Sequence, residues 1–262
     1  MNSDLPPKNV GSDDWDRHWT TYGVALEENP ANDYRNHLVL THIGTPQSGD
    51  VIVDFGAGQG EMALLLQHRF ADASVLGLEE SPEGVARAQA AAAASGSNAQ
   101  FQVCDLLTAP ASPPTTNARF GVCSEVLEHV DDPVTLLRNA ALHLAPGALI
   151  VVTVPGGPRS AFDRHIGHRD HFTTKRLRSI LVDAGFSPEG VWAAGFPFFN
   201  LYKLAIIAQG QRFVEGLEAS PDAPSRLQTI GSKIFKLAFK ANLTKTSLGW
   251  QILAVARKSG GD

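Results

Sequence analysis

The segment VIVDFGAGQGE places three glycines at alternate positions, Gly56, Gly58 and Gly60. Glycine has no side chain, so a backbone rich in it can turn sharply and approach a bound molecule closely. Two carboxylates, Asp54 and Glu61, flank this loop. In a site of low dielectric, carboxylates repel a pyrophosphate and attract a cation. The loop therefore predicts a cofactor that presents a positively charged group to it.

A further acid, Glu79, ends the apolar run SVLGLE about 20 residues beyond the loop. A carboxylate at that place can accept both hydroxyls of a ribose, as it does in nicotinamide and flavin dinucleotide sites. Those sites use the spacing Gly-x-Gly-x-x-Gly, whereas this chain has Gly-x-Gly-x-Gly. The residues alone leave a dinucleotide open, but they favour adenosine joined to a cationic tail, as in S-adenosylmethionine.

Alternating strand and helix patterns position these residues. Short apolar runs such as VIVDF and ALIVVTVP are separated by amphipathic stretches such as EMALLLQHRF and VTLLRNAALHL. This alternation predicts a largely parallel sheet with right-handed crossovers. Ligands bind such sheets beyond the carboxyl ends of the strands. We therefore expect one crevice, lined by residues 54–61, 79–81, 104–106 and 124–125.

As an ordered set, these motifs resemble the class I S-adenosylmethionine-dependent methyltransferases, especially the type 11/type 12 small-molecule group. VDFGAGQGE is similar to the first motif of that family, VLGLEES to the second and QVCDL to the third. RFGVCSEVLEHVDDP and LHLAPGALIVVTVP are similar to the fourth motif and the fifth strand. The resemblance implies a Rossmann-like α/β three-layer sandwich. Its seven-stranded, mostly parallel sheet would have the order 3-2-1-4-5-7-6, with strand 7 antiparallel.

The resemblance also implies which residues bind the cofactor. It assigns Asp54 and the loop to the methionine moiety, Glu79 to the ribose and Asp105 to the adenine amino group. The loop contacts would be Gly56, Ala57, Gly58 and Gly60. The remaining contacts expected around the adenosine and the sulfonium are Glu80, Ser81, Cys104, Leu106, Ser124 and Glu125.

Transfer of a methyl group to a hydroxyl requires removal of a proton, and a histidine of near-neutral pKa is a suitable base. His129 follows the fourth strand, and His168 lies in the tract DRHIGHRDHF after the fifth. We predict these two as catalytic residues and Arg169 as a substrate contact. The histidine spacing in the tract also suits a metal, with Asp163 and Asp170 as further ligands. Interleaved arginines disfavour that alternative, and no metal is predicted.

The segments outside the core predict a lid and a cap. By the same resemblance, residues 1–45 are expected to form a tail and a helical lid, in which Tyr22 covers the cofactor; the alternative is that the aromatic residues of this segment pack on the core. The sheet-containing core spans 46–195, and 248–262 supply its last strand and a tail. The intervening residues 196–247 form a basic helical insertion, longer than a simple connection between strands. Its aromatic residues expected to line the substrate pocket are Phe196, Phe199 and Tyr202.

The helix pattern GSKIFKLAFKAN in this insertion puts lysines on one face and Ile234 with Leu237 on another. This pattern is typical of a cap with solvated lysines. It also suits a cover for an anionic or lipid-linked acceptor, or a membrane-resting surface, although peripheral membrane contact is not favoured.

Composition restricts the remaining possibilities. The chain has 262 residues, 43% of them hydrophobic, and a formal net charge of −5. Its longest apolar runs are too short to span a bilayer, and its first residues lack the pattern of a secretory signal. We expect a cytoplasmic protein with reduced thiols at Cys104 and Cys123. Nucleic-acid methylation is not expected, because no Asn/Asp-Pro-Pro-aromatic tetrapeptide follows the fourth strand.

These features together predict an enzyme that methylates O or N of a small molecule or glycan-like natural product. Two alternatives remain open at this point. One is a nicotinamide-dependent oxidoreductase on the same core, and the other is a non-catalytic S-adenosylmethionine-binding protein. The sequence does not indicate an oligomeric state.

Overall fold

A computed structural model describes residues 29–109, 112–113, 115, 117–210 and 226–260, with the backbone alone for 226–230. Seven strands form one sheet in the order β3-β2-β1-β4-β5-β7-β6, and β7 is antiparallel to both of its neighbours. The predicted fold class and strand order are confirmed. The strands are β1 (Val51–Phe55), β2 (Ser74–Glu79), β3 (Gln100–Val103), β4 (Ala118–Ser124), β5 (Leu144–Pro155), β6 (Phe186–Ala194) and β7 (Gln251–Lys258).

Helices cover both faces of the sheet. The α-helices are α1 (Pro30–His42), α2 (Glu61–Arg69), α3 (Pro82–Ser95), α4 (Pro133–Ala141), α5 (Ala161–His165), α6 (Thr174–Asp183), α7 (Phe198–Gln209) and α8 (Arg226–Ala238). Two 3₁₀ turns, Leu127–His129 and Phe239–Ala241, follow β4 and α8. The sheet separates two apolar cores, one against each layer of helices.

Local sequence signals fix the helix ends near the site. The Asp132 side chain accepts a hydrogen bond from the Thr135 N–H at the start of α4. The Ser81 hydroxyl likewise accepts from Gly84 N–H at the start of α3, and Gly96 ends that helix in the left-handed conformation. These are the capping roles that such residue types favour. Helix α3 therefore begins just beyond the carboxyl end of β2, and α4 begins after the 3₁₀ turn that follows β4.

An aromatic cluster joins the N-terminal helix to the insertion. The ring of Tyr34 in α1 lies 5.4 Å from Phe199 in α7 and 5.6 Å from Phe239 after α8. Lys236 of α8 also pairs with Asp33 of α1, at 2.9 Å. Helix α1 and the insertion thus pack on each other.

The exposed face of α8 includes residues of the apolar face that its sequence pattern predicted. Phe235 packs against Tyr202, whereas Ile234 and Leu237 are 62% and 68% exposed. The reason is the stronger burial of aromatic rings, which determines the packed face. Among the described residues, no helix is both long and apolar enough to cross a bilayer.

Candidate functional site

The glycine loop after β1 is held against the end of β2. Gly56 and Ala57 N–H groups donate to the Leu78 carbonyl at 2.8 and 2.9 Å. One carboxylate oxygen of Glu79 accepts from Gly58 N–H at 2.8 Å, and the other accepts from Ser81 N–H at 3.0 Å. Glu79 therefore shapes the loop in addition to facing the cavity.

Gly56 cannot be replaced without disturbing this loop. Its φ is +73°, which disfavours any other residue, and a Cβ placed there would lie 2.5 Å from a methyl group of Val126. The loop backbone consequently lies close against the segment that follows β4. This close approach is the physical role that the glycine spacing predicted.

Asp54, at the end of β1, is buried and unusually basic. Burial, together with the nearby charge of Glu79, raises the pKa of Asp54 to about 7. Its Oδ2 atom has no hydrogen-bond partner among the described residues. A buried carboxylate oxygen without a partner is costly unless a ligand satisfies it. Asp54 thus offers one acceptor and one negative charge to a bound cation.

A cavity of about 280 Å³ opens at the carboxyl ends of the strands. Its described lining contains two basic side chains other than histidine, Arg35 and Lys203. The acidic side chains of the lining outnumber them; they are Asp54, Glu61, Glu79, Glu80, Asp105, Glu125 and Asp163. Such a lining attracts a cationic ligand and repels phosphates.

One end of the cavity is suited to a planar apolar group. Leu106 is buried there beside the half-buried Cys104 thiol, whose pKa is raised by burial and by the charge of Asp105. Asp105 itself caps a local turn, because its carboxylate accepts from Leu107 N–H at 2.8 Å and from the Thr108 hydroxyl at 2.7 Å. Remaining lone pairs of this carboxylate are left to face the cavity.

Glu125 links the end of β4 to helix α1 and to β7. It adopts a φ of +58°, a backbone conformation that favours glycine. Its Oε1 accepts from Gln251 Nε2 at 2.7 Å, and its Oε2 lies 3.0 Å from Arg35 Nε. The neighbouring Ser124 hydroxyl shares a hydrogen bond of 2.7 Å with that of Thr153. Because Thr153 also donates to Glu125, these groups form one polar network at the end of β4, where the motifs predict contact with the sulfonium.

The predicted bases His129 and His168 lie together in the lining of the cavity. Their rings are perpendicular, with centroids 4.7 Å apart, and both line the cavity. Burial lowers the pKa of His168 to about 2, and it also lowers the pKa of His171. His168 is therefore neutral at physiological pH.

Hydrogen bonds determine which nitrogen of His168 carries the proton. His171 Nδ1 lies 3.0 Å from the Gly157 carbonyl, which can only accept, so Nδ1 of His171 is the donor. Nε2 of the neutral His171 then accepts from His168 Nδ1 at 3.2 Å. Nε2 of His168 is left with a lone pair, on the side of the ring toward Glu128.

A buried ion pair closes the site from the insertion. Lys203 Nζ lies 2.8 Å from Asp163 Oδ1, and both side chains are less than a tenth exposed. The Ser160 N–H and hydroxyl donate to Asp163 Oδ2. Burial opposes ionisation of this carboxyl, but Lys203 and these hydrogen bonds prevail and hold its pKa below the usual value.

Five predicted contacts lie outside the cavity lining. Gly60 caps α2 in a left-handed conformation, and Ser81 caps α3. Phe199 is 1% exposed and belongs to the aromatic cluster, while the backbone of Phe196 bridges to Leu243. Arg169 forms an ion pair with Asp131. Sequence spacing could not separate these packing and capping roles from contact with a ligand.

The other predicted site residues within the described chain do line the cavity. Tyr22 lies outside the described residues. Tyr202 lines the cavity and donates its hydroxyl to Asn29 Oδ1 at 3.0 Å, while burial raises its pKa to about 12.

Several site residues were missed by sequence analysis. Lys203 had a signal, since it is the lone charge in the apolar stretch FPFFNLYKLAIIAQG. Arg35 and Glu128 had none, because each lies in an amphipathic stretch where a solvated charge is ordinary. Their roles arise only when the sheet brings distant segments together.

A family model described as a methyltransferase domain matches residues 33–189, which is more than half of the chain. The chain belongs to this family. The resemblance drawn from its motifs is therefore confirmed. A curated relative, a ubiquinone biosynthesis O-methyltransferase of Aeromonas salmonicida, is 31% identical over 122 residues. That match covers 45% of this chain and 49% of the relative, so the chain spans about half the length of the relative it matches.

Proteins of known structure that share this fold include a cyclase and methyltransferases. The [4+2]-cyclase SpnF has a TM-score of 0.60 at 19% identity, covering 88% of this chain and 82% of that chain. A geranyl diphosphate methyltransferase bound to its substrate and sinefungin has a TM-score of 0.58 at 18% identity, covering 86% and 78%. A Haemonchus contortus phosphoethanolamine N-methyltransferase bound to S-adenosylmethionine has a TM-score of 0.61 at 17% identity, covering 94% and 57%. At these identities the likeness concerns the fold.

Proposed function

We propose that this protein is an S-adenosylmethionine-dependent methyltransferase that methylates a hydroxyl of a neutral small molecule. The observation that carries the proposal is the acidic cavity whose glycine-loop end contains the buried Oδ2 atom of Asp54, for which the described part of the chain supplies no hydrogen-bond partner. A ligand with an ammonium group satisfies that atom, whereas a pyrophosphate does not. This requirement favours S-adenosylmethionine over a dinucleotide.

The residues present fit that cofactor. Asp54 would bind the ammonium group, Glu79 the ribose hydroxyls, and Asp105 with Leu106 the adenine. When bound, S-adenosylmethionine supplies a methyl group activated by a sulfonium. The contribution of the chain is to hold the acceptor in line with that methyl group, exclude water, and accept the proton of the acceptor.

The residues at the acceptor end of the cavity favour a hydroxyl group of a neutral molecule as the methyl acceptor. Both cations that line the cavity are neutralised within the protein, Lys203 by Asp163 and Arg35 by Glu125. This charge balance disfavours the anionic acceptor that the sequence left open. His168 presents an unprotonated Nε2 beside His129, which suits the binding of a hydroxyl proton. The O-methyltransferase among the relatives supports the same choice over N-methylation.

Mass spectrometry of the protein as isolated, followed by calorimetry with the cofactor, tests this proposal. We expect S-adenosylmethionine or S-adenosylhomocysteine to co-purify, and the Asp54→Ala and Glu79→Ala variants to bind it more weakly. Binding of a nicotinamide dinucleotide in a thermal-shift screen would instead support the oxidoreductase. Cofactor binding without turnover of any hydroxylated acceptor would support the non-catalytic protein.

A further inference from the structure

We propose that Glu128, His129 and His168 bind one divalent transition-metal ion in the wall of the cavity. Each residue offers one ligand atom, and these three atoms all lie within 4.8 Å of one another. Two imidazoles and one carboxylate form a ligand set found in catalytic zinc sites and in non-haem iron sites. The fold alone brings the set together, because His168 comes from the connection between β5 and α6.

Glu128 is the strongest reason for an ion at this place. Its side chain is fully buried, and neither carboxylate oxygen has a hydrogen-bond partner among the described residues. Burying a carboxyl group without a partner is costly, and binding a cation removes that cost. His168 Nε2 lies 3.9 Å from Glu128 Oε1. Ligand atoms of a tetrahedral zinc ion lie roughly 3.3 Å apart, so a closure of about 0.6 Å would complete this edge.

His168 is prepared as a ligand by its outer hydrogen bonds. The chain from Gly157 through His171 places the His168 proton on Nδ1 and leaves the Nε2 lone pair directed toward Glu128. Metal-binding histidines usually donate their other ring N–H in this way, which fixes both the tautomer and the ring orientation. His171 therefore acts as a positioning residue for the site.

A second ligand set in the same tract is less suitable. Asp163, His168 and His171 also have potential ligand atoms within 4.8 Å of one another. However, the ammonium group of Lys203 lies 2.8 Å from Asp163 Oδ1 and occupies that carboxylate. Both ring nitrogens of His171 are already used, by Gly157 and by His168. The first set avoids both conflicts.

The proposed metal site differs from the prediction made from the sequence, which was that no metal binds. Within the histidine tract itself, the alternating arginines argued against a cation. Arg169 in fact pairs with Asp131, which balances its charge.

The chemical use of the ion rests on the proposed function. His129 and His168 both line the cavity, so the uncoordinated side of the ion would face the bound acceptor. A hydroxyl that approaches a divalent ion becomes more acidic. With the ion present, the two histidines are ligands, and the ion takes over their proposed role in favouring loss of the hydroxyl proton.

Metal binding can be measured without any acceptor. The protein, purified without a histidine tag and stripped with a chelator, is titrated with Zn²⁺ or Co²⁺ and analysed by plasma mass spectrometry and visible absorption. We expect one equivalent in the unmodified protein and loss of that equivalent in Glu128→Gln and His168→Gln. His165→Gln is the matched control, since His165 is an exposed histidine of the same tract, and it should retain the ion.

The ligand identities provide a second measurement that does not depend on variants folding. X-ray absorption of the unmodified zinc-loaded protein should show two imidazole nitrogens at about 2.0–2.1 Å. His171→Gln should keep one equivalent but weaken binding about 10–100-fold. Lack of stoichiometric binding, retention of the ion by Glu128→Gln, or a spectrum without imidazole would each overturn the site. Calorimetry with the cofactor is separate, so failure of the metal site is distinguishable from failure of the proposed function.

Discussion

Asp54 and Glu79 lie at the carboxyl ends of the neighbouring strands β1 and β2, and the charge of Glu79 adds to burial in raising the pKa of Asp54 to about 7. The two acids differ in their partners. Glu79 accepts from two backbone N–H groups, whereas one oxygen of Asp54 has no partner among the described residues. Glu79 therefore organises the loop, and Asp54 is the group left to a ligand.

The first prediction concerns the pH dependence of cofactor binding. A cationic ligand favours the ionised form of Asp54, so affinity should rise as pH increases through about 7 and binding should release a proton below it. Asp54→Asn should remove this dependence and weaken binding by about 1–3 kcal/mol. Calorimetry at several pH values, in buffers of different ionisation enthalpy, measures both effects. Equal, pH-independent affinities for the two proteins would contradict the assignment.

The same substitution should change the stability of the ligand-free protein. Because the folded pKa of Asp54 is raised, its favourable contribution is complete below the unfolded pKa of about 4 and is lost as pH rises through about 7. Asp54→Asn should therefore stabilise the protein more at pH 8 than at pH 5. Urea unfolding of both proteins at the two pH values measures the difference. An equal gain at both would show that Asp54 is already ionised in the folded state.

A further prediction separates two constraints on the glycine loop. Gly56→Ala introduces both a disfavoured φ and a contact of 2.5 Å with Val126. Gly49→Ala is the matched control, because Gly49 has a φ of +83° but no atom within 4 Å of the added Cβ. Gly49→Ala should cost about 1 kcal/mol, whereas Gly56→Ala should cost more and also weaken cofactor binding. Thermal unfolding and calorimetry of both variants test this. Similar losses in both would mean that Val126 moves aside easily.

The core of the fold was predictable because its signals are local. VIVDF is a strand at the predicted residues, and Asp132 and Gly96 cap the helices that their types favour. Hydrophobic period and capping depend on neighbours within a few residues, so they are visible in a single sequence. The cofactor end of the site follows from them, since its residues lie at strand ends.

The acceptor end depends on contacts between distant segments. Lys203 meets Asp163 across 40 residues, and Arg35 meets Glu125 across 90. No local period encodes such pairs. Phe199 and Tyr202 show the same limit: both are aromatic and three residues apart in α7, yet one is enclosed by other rings while the other reaches the cavity. Which side of α7 faces the cavity is set by the packing of α1 and α8 around it.

The contact between Arg35 and Glu125 predicts that α1 and the end of β4 are energetically coupled. Both side chains are 17% exposed, so their interaction is screened only in part. We expect a double-mutant cycle of Arg35→Gln and Glu125→Gln to give a coupling of about 1–2 kcal/mol in stability. Each single variant should also weaken cofactor binding, because α1 supplies part of the cavity wall. Additive effects of the two substitutions would show that the pair does not hold α1 in place.

The ion pair between Lys203 and Asp163 makes the sharpest prediction for the insertion. Lys203→Met leaves the carboxylate buried without its cation and should cost about 3–5 kcal/mol in stability. Lys236→Met is the control, because that lysine and its partner Asp33 are 39% and 54% exposed, and it should cost less than about 0.5 kcal/mol. Adding Asp163→Asn to Lys203→Met should restore much of the loss, since no charge then remains buried.

The pH dependence of this pair has a definite sign. The pKa of Asp163 is held below its usual value, so the pair contributes its stability above the unfolded pKa of about 4 and loses it as pH falls toward the lower folded pKa. In Lys203→Met the carboxyl should instead protonate above pH 4, and the penalty should shrink on acidification. Unfolding of the two proteins at pH 4 and pH 7 measures this change. A penalty of the same size at both pH values would mean that Ser160 alone keeps Asp163 ionised. Lys203 would then be available to bind the acceptor.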